Sequence, residues 1–234
     1  MKRFQFHRIS LGIDNCYLLC GDRKILIDGG APGRIQDFRE GLARLGIAAN
    51  EIYAILLTHG HADHIGSLAE IQALTGAQVW AHRADALQVE YGNPVLPPGV
   101  TGWGRALIGL GHLFYRPKIT PCKVDYCFDS SDISLAEYGI SGSVIHTPGH
   151  SPGSVCVLLD RGEVFAGDMA MNAWFLRRTP GLAVLAEDRH LMVQSWKKLI
   201  RMGARWVYPA HGRDFPIKVI QAEIANLKQQ HKST

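Results

Sequence analysis

The 234 residues fit one large domain or two small ones, and a chain that is 47% hydrophobic and 20% charged carries enough apolar side chains for a real core. The formal net charge of +4 is mild and Lys and Arg are scattered, so no polybasic tract implies nucleic acid. No stretch reaches the roughly 18 uninterrupted apolar residues of a membrane span.

The start, Met1-Lys2-Arg3-Phe4-Gln5-Phe6-His7-Arg8, is basic but lacks the apolar core of a signal peptide. The five cysteines (Cys16, Cys20, Cys122, Cys127 and Cys156) are odd in number and include no Cys-x-x-Cys pair. That pattern argues against a disulfide framework or a zinc knuckle. The expectation is a cytoplasmic protein with reduced thiols.

Phe4 to Ile9, Cys16 to Cys20 and Ile25 to Ile27 read as a meander of strands, with a turn at Gly21-Asp22. Asp28-Gly29-Gly30-Ala31-Pro32 stops the third strand and can open a helix at Pro32. Ile35, Phe38, Leu42 and Leu45 keep helical spacing, and Gly46 closes that helix. Ile52 to Leu57 is an apolar strand suited to burial on both faces. A helix is expected over 65–74, a strand over 78–81 and a short helix over 84–90.

The segment 91–121 breaks the alternation. Its prolines Pro94, Pro97 and Pro98 and several glycines are mixed with Trp103, Leu107, Ile108, Leu110, Leu113, Phe114 and Tyr115. An irregular apolar insert of this length reads as a lid or binding loop, or as a homodimer contact. Strand signals return at 134–136, 143–145, 155–159 and 164–165. A helix follows over 188–202, then a strand at Trp206-Val207-Tyr208 and an amphipathic helix over 217–229. No linker or low-complexity tract divides the chain, which is therefore expected to form one domain over 1–234.

The chemistry concentrates in Thr58-His59-Gly60-His61-Ala62-Asp63-His64-Ile65-Gly66, directly after an apolar strand. Three more short stretches each place a His or Asp just past an expected strand end, bracketed by small residues that let the backbone turn. They are His146-Thr147-Pro148-Gly149-His150, Ala166-Gly167-Asp168 and Pro209-Ala210-His211-Gly212. Any one of them alone would read as an ordinary turn. Together they supply His59, His61, Asp63, His64, His150, Asp168 and His211, which suits two metal ions with open positions for water.

These motifs resemble the metallo-β-lactamase fold superfamily, whose His-x-His-x-Asp-His signature is matched by His59 to His64 and whose later motifs are matched at His150, Asp168 and His211. The resemblance implies an α/β fold, an αββα four-layer sandwich of two mixed sheets with helices on the outer faces. It implies two Zn²⁺ ions, with Fe or Mn as other choices. His59, His61 and His150 would hold one ion; Asp63, His64 and His211 the other; Asp168 would bridge both. The implied nucleophile is a metal-bridging hydroxide held by Asp168, with Asp63 as a proton acceptor. Thr58, Asp28 and Thr147 are expected to orient ligands through hydrogen bonds; His112 reads as a solvent-facing histidine of the insert, with substrate contact as the alternative.

Within the superfamily the stretch 146–154 is most similar to glyoxalase II-like and lactonase-like branches. The expected activity is hydrolysis of a small thioester, as in a hydroxyacylglutathione hydrolase. A lactonase is the first alternative, then a phosphodiesterase or a mononuclear-iron persulfide dioxygenase. The stretch after Gly212 is too short to supply the helical region with which glyoxalase II holds glutathione. Trp103 to Tyr115 would instead suit an acyl chain, since each buried methylene contributes about 0.8 kcal/mol.

Overall fold

The structure, a computed structural model, describes residues 4–114, 117–129 and 132–230, with the side chains of 111–114 and 230 outside that description. The chain opens with β1 (Gln5–Leu11), β2 (Asp14–Cys20) and β3 (Lys24–Ile27), then α1 (Ile35–Leu45) and β4 (Ile52–Leu56). It continues through α2 (Ala62–Ile65), α3 (Leu68–Thr75), β5 (Gln78–His82), α4 (Arg83–Tyr91), α5 (Gly102–Phe114) and β6 (Tyr126–Phe128). These strands form one sheet in the order β1-β2-β3-β4-β5-β6, antiparallel up to β3 and parallel beyond it.

The second sheet is built from β7 (Ile133–Ser134), β8 (Gly142–His146), β9 (Val155–Leu159), β10 (Glu163–Asn172) and β11 (Gly181–Leu182). After α6 (Arg189–Arg201) it adds β12 (Trp206–Gly212) and β13 (Phe215–Pro216), and α7 (Lys218–Gln230) closes the described chain. The order is β13-β12-β10-β9-β8-β7, with β11 paired to β10 and only β10–β12 parallel.

Alternation along the strands sorts the apolar side chains into three layers of core. Leu18, Leu26 and Ile55 face Phe38 and Leu42 of α1 and Ile71 of α3. Their neighbours Tyr17, Leu19, Ile25, Ile27 and Leu56 face Val144, Val157 and Phe165 of the other sheet. Beyond that sheet, Ile145, Val164 and Val207 pack on Met192, Trp196 and Leu199 of α6 and Ile220 of α7. Helices therefore cover both outer faces of two stacked mixed sheets, the expected αββα arrangement. No described helix is long and apolar enough to cross a membrane, and all five cysteines are free.

Four local expectations need correction. The helix expected over 65–74 is two pieces, α2 and α3. Gly66 lies between them, packed so closely on the Pro32 backbone that a side chain would collide there. The 134–136 stretch is a two-residue strand followed by a 3₁₀ turn. The insert 91–121 contains the thirteen-residue helix α5. Its Gly102, Gly104 and Gly109 lower helix propensity, yet Gly104 lies so close to the Val184 carbonyl that a Cβ would clash. Finally, Asp168 and His211 sit inside β10 and β12 rather than past their ends.

Candidate metal centre

Two strand geometries place Asp168. β10 and β12 lose register between Phe165 and Gly167 and again between Gly167 and Met171. Gly167 takes φ +48° and packs on the Thr58 side chain. Such an irregularity re-aims one side chain without ending the strand, and Asp168 is thereby turned toward the loop that follows β4. The two sheets are tied below the site by the Val155 amide, which donates to the Thr58 carbonyl at 2.8 Å.

His59, His61 and His150, all buried, form one ligand group; Asp63, His64, Asp168 and His211 form a second. Hydrogen bonds fix which ring nitrogen His59 and His150 offer. The Thr58 hydroxyl donates to the Asp28 carboxylate at 2.8 Å, so it accepts from His59 Nδ1 at 3.1 Å and leaves Nε2 with its lone pair. His150 Nδ1 donates to the Leu185 carbonyl at 2.8 Å, which likewise frees Nε2. His61 is turned the other way and brings Nδ1 to 2.9 Å from His150 Nε2. His150 Nε2 is 3.2 Å from His59 Nε2. Tetrahedral ligands at about 2.0–2.1 Å from zinc stand about 3.3 Å apart, so these separations fit one shared cation.

In the second group His64 donates Nδ1 to Asp28 Oδ2 at 2.9 Å. Its Nε2 lies 3.5 Å from Asp168 Oδ1, and both atoms are buried without a hydrogen bond. His211 directs Nδ1 toward the Ile13 carbonyl at 3.2 Å and Asp14 at 3.3 Å, and donates Nε2 to Asp63 at 3.0 Å. Asp168 Oδ1 is 3.3 Å from His211 Nε2, whereas its Oδ2 is 3.7 Å from His150 Nε2. One carboxylate thus turns an oxygen toward each group, which is what a shared ligand requires.

The electrostatics divide the same way. Burial pushes His59 well down and His61 to about 3, and neighbouring imidazoles add to both; burial also lowers His150. All three are neutral at pH 7, the form that binds a cation. For His64 and His211 burial acts downward, but Asp28 and Asp168 beside the first and Asp168 beside the second outweigh it and hold both well above their usual value. Burial acts upward on Asp63, but the His211 hydrogen bond and the charge of His64 bring it to about 2. Asp168 is held well below the usual carboxylate range against its own burial, by His211 and His64.

In the metal-free chain these two imidazoles therefore carry protons that an incoming cation must displace. Loading the second group is expected to release protons at neutral pH, and its affinity to fall as the pH drops. Calorimetric titration in two buffers of different ionisation enthalpy reads this directly; equal heats in both would refute it.

Above the seven side chains lies a cavity of about 460 Å³. His61, Asp63, His150, Asp168 and His211 form its floor, and Ile13, Val95, Leu96, Met171, Phe175, Leu176 and Leu185 form its apolar walls. Asp63, with 27% of its side chain exposed, is the most open of the seven, the other six being buried. The insert contributes Pro94 to Pro97 and Pro117 rather than Trp103, whose indole instead donates to the Phe175 carbonyl at 3.3 Å. The His112 side chain, Tyr115 and His231 lie outside the described residues.

All seven expected ligands are thus brought together, and Asp28 and Thr58 touch the ligands they were expected to orient. Thr147 does not; its hydroxyl reaches Cys156 at 3.2 Å and the Ser154 carbonyl at 3.4 Å, and it fastens the loop instead. His82 and His146 stack on each other at 4.2 Å, away from the cluster. Sequence reasoning missed Asp14, which faces His211, and Asp85, which is 1% exposed. Asp14 stands beside Asn15 at the very start of β2, where it reads as a turn residue, and Asp85 is an ordinary acidic residue in a helix's first turn; neither carried a signal.

The Metallo-beta-lactamase superfamily model matches residues 10–211, and the chain belongs to that superfamily. A protein of Mycobacterium tuberculosis strain H37Rv described only as uncharacterised is 32% identical over 217 residues, which span 87% of this chain and 88% of that one. Hydroxyacylglutathione hydrolase GloC of Haemophilus influenzae is 26% identical over 159 residues, 66% of each chain. Among solved structures, the B3 metallo-beta-lactamase BLEG-1 matches with a TM-score of 0.66 at 26% identity, over 92% of this chain and 95% of its own. An archaeal superfamily protein from Sulfolobus tokodaii matches with a TM-score of 0.68 at 24% identity, over 94% and 85%; at that identity the likeness shows the fold alone. Superfamily members are generally metal-dependent hydrolases, and the His/Asp cluster here suits divalent metal ions.

Proposed function

We propose that the chain is a dinuclear metal-dependent hydrolase of a small thioester. The observation that carries this reading is Asp168, whose two carboxylate oxygens face two separate ligand groups on the floor of an apolar cavity. The similarity to the hydroxyacylglutathione hydrolase of Haemophilus influenzae supports the thioester class. A lactone is the second reading, favoured by the absence of Lys or Arg among the described lining residues, which suits a compact uncharged substrate.

Two zinc ions, when bound, would supply Lewis acidity and a water that ionises near neutral pH. The protein's own part is positional. His59, His61 and His150 present neutral nitrogens; Thr58 holds the His59 ring and the Leu185 carbonyl the His150 ring, while Asp28 and the Ile13 carbonyl hold His64 and His211. Val95, Leu96, Phe175 and Leu185 can hold an acyl chain and keep bulk water from it. Asp63 meets the cavity but has little affinity for a proton, so ligation rather than proton transfer is its assigned role.

Stripping metal with a chelator is expected to abolish turnover, and added zinc or manganese to restore it. A panel of acyl thioesters, lactones, phosphodiesters and a β-lactam, run with a monitor of oxygen uptake, separates this reading from the phosphodiesterase and iron-dioxygenase classes. Full thioesterase and lactonase activity in a metal-free His61→Ala protein would refute it.

A further inference from the structure

Asp85 is a buried carboxylate that no part of the chemistry above uses. It projects from the first turn of α4, on the helical side of the first sheet, into the space between two ligand loops. Its Oδ2 accepts from the Gly60 amide at 3.0 Å and from the Ser151 hydroxyl at 2.6 Å, and its Oδ1 from the Gly153 amide at 3.0 Å. Gly60 stands between His59 and His61; Ser151 follows His150. The three donors therefore bracket all three members of the first ligand group and none of the second.

Backbone packs closely on Asp85 from both loops. A Cβ on Gly153 would stand 2.6 Å from the Asp85 carboxyl carbon, and one on Gly60 would stand 3.2–3.3 Å from the Asp85 backbone and Cβ. Ser151 Oγ also lies 2.9 Å from Ser154 Oγ, which in turn accepts from the Ser151 amide at 2.9 Å. The loop carrying His150 is thus folded around this one acceptor, although it belongs to the other sheet. Hydrogen bonds to a charged acceptor are roughly twice as strong as neutral ones, and a buried donor left without its partner is costly.

We propose that Asp85 is the positioning residue for the first metal group, setting the separation of His59 and His61 from His150 by holding both loops at once. This rests on the reading of the seven side chains as a two-ion site. Asp85 touches neither ion nor substrate, and it acts through backbone and hydroxyl donors. Its removal affects the two ions unequally: the His59/His61/His150 group loosens, while the Asp63/His64/Asp168/His211 group, held by Asp28, Asp14 and Ile13, keeps its geometry.

The test is a zinc titration of the metal-free full chain against a chromophoric chelator, which gives both dissociation constants. His59→Ala and His64→Ala assign them to the first and second groups. Asp85→Asn is expected to weaken the first ion by about 10- to 100-fold, the range for groups that orient ligands, and the second by less than about threefold on the same reasoning. Ser151→Ala, which removes one of the three donors and leaves the carboxylate, is expected to give a smaller loss in the same ion and serves if Asp85→Asn does not fold. A merely structural role would lower thermal stability and leave the two constants at their wild-type ratio, and that result would overturn the proposal. A wild-type chain that binds fewer than two ions would instead overturn the two-ion reading beneath it.

Discussion

Asp168→Asn is expected to abolish turnover and to lower bound zinc from two ions per chain to one or none. The carboxylate is 5% exposed and has His64, His211 and His150 around it. An amide keeps the shape but removes the negative charge that two cations would share. It also presents an N–H toward one ligand group where an acceptor is needed. The metal-free protein is affected as well. His211 is held protonated chiefly by this charge, and His64 by Asp28 together with it; removing one partner from a buried charged set costs about 3–5 kcal/mol. Elemental analysis of the purified variant, beside its thermal unfolding without metal, measures both. Two ions per chain at wild-type turnover would show that Asp168 is not the shared ligand.

The candidate site was legible to the extent that its candidate ligands cluster locally. His59, His61, Asp63 and His64 fall within one loop, and small residues beside His150, Asp168 and His211 leave the backbone room to turn. The rule that placed these residues past strand ends failed for Asp168 and His211, because a bulge at Gly167 lets β10 change direction without ending. The supports were less visible. Asp28 could be read only through the family resemblance, and it takes φ +64°, the only positive value among the described non-glycine residues. Strain of that kind persists where surrounding bonds over-determine it; here the Thr58 amide, the Thr58 hydroxyl and His64 all bond its carboxylate.

Asp85 could not be read, since its partners Gly60 and Gly153 are 25 and 68 residues away and two of its three bonds are to backbone amides. The helix α5 was hidden for a related reason. Its Gly104 obeys tertiary packing against Val184, not the local propensity from which a helix is read. The layered core, by contrast, followed from strand alternation and helix spacing, because burial on both faces of each sheet leaves a strong apolar pattern.

Trp196→Ala is expected to give the largest loss of stability among single core substitutions, and to reach the metal site through the backbone. Trp196 is fully buried beneath the second sheet, in the cluster with Val164, Met192 and Val207. Truncating such a side chain costs about 3–5 kcal/mol from lost burial and the cavity left behind. The indole also donates to the Met169 carbonyl at 2.9 Å, and an orphaned buried acceptor adds about 1–3 kcal/mol. In a chain of this size each kcal/mol lowers the melting temperature by about 2–4 °C, so a drop on the order of 10 °C is expected. Met169 is the residue after Asp168 in the irregular part of β10, so the indole bonds the strand where the Asp168 carboxylate is aimed. Trp196→Phe fills most of the space and removes only the donor, and it separates the two contributions. It is expected to lose less stability than the alanine variant while still weakening zinc binding. If zinc affinity in Trp196→Phe matches the wild type, the Met169 hydrogen bond does not help to aim Asp168.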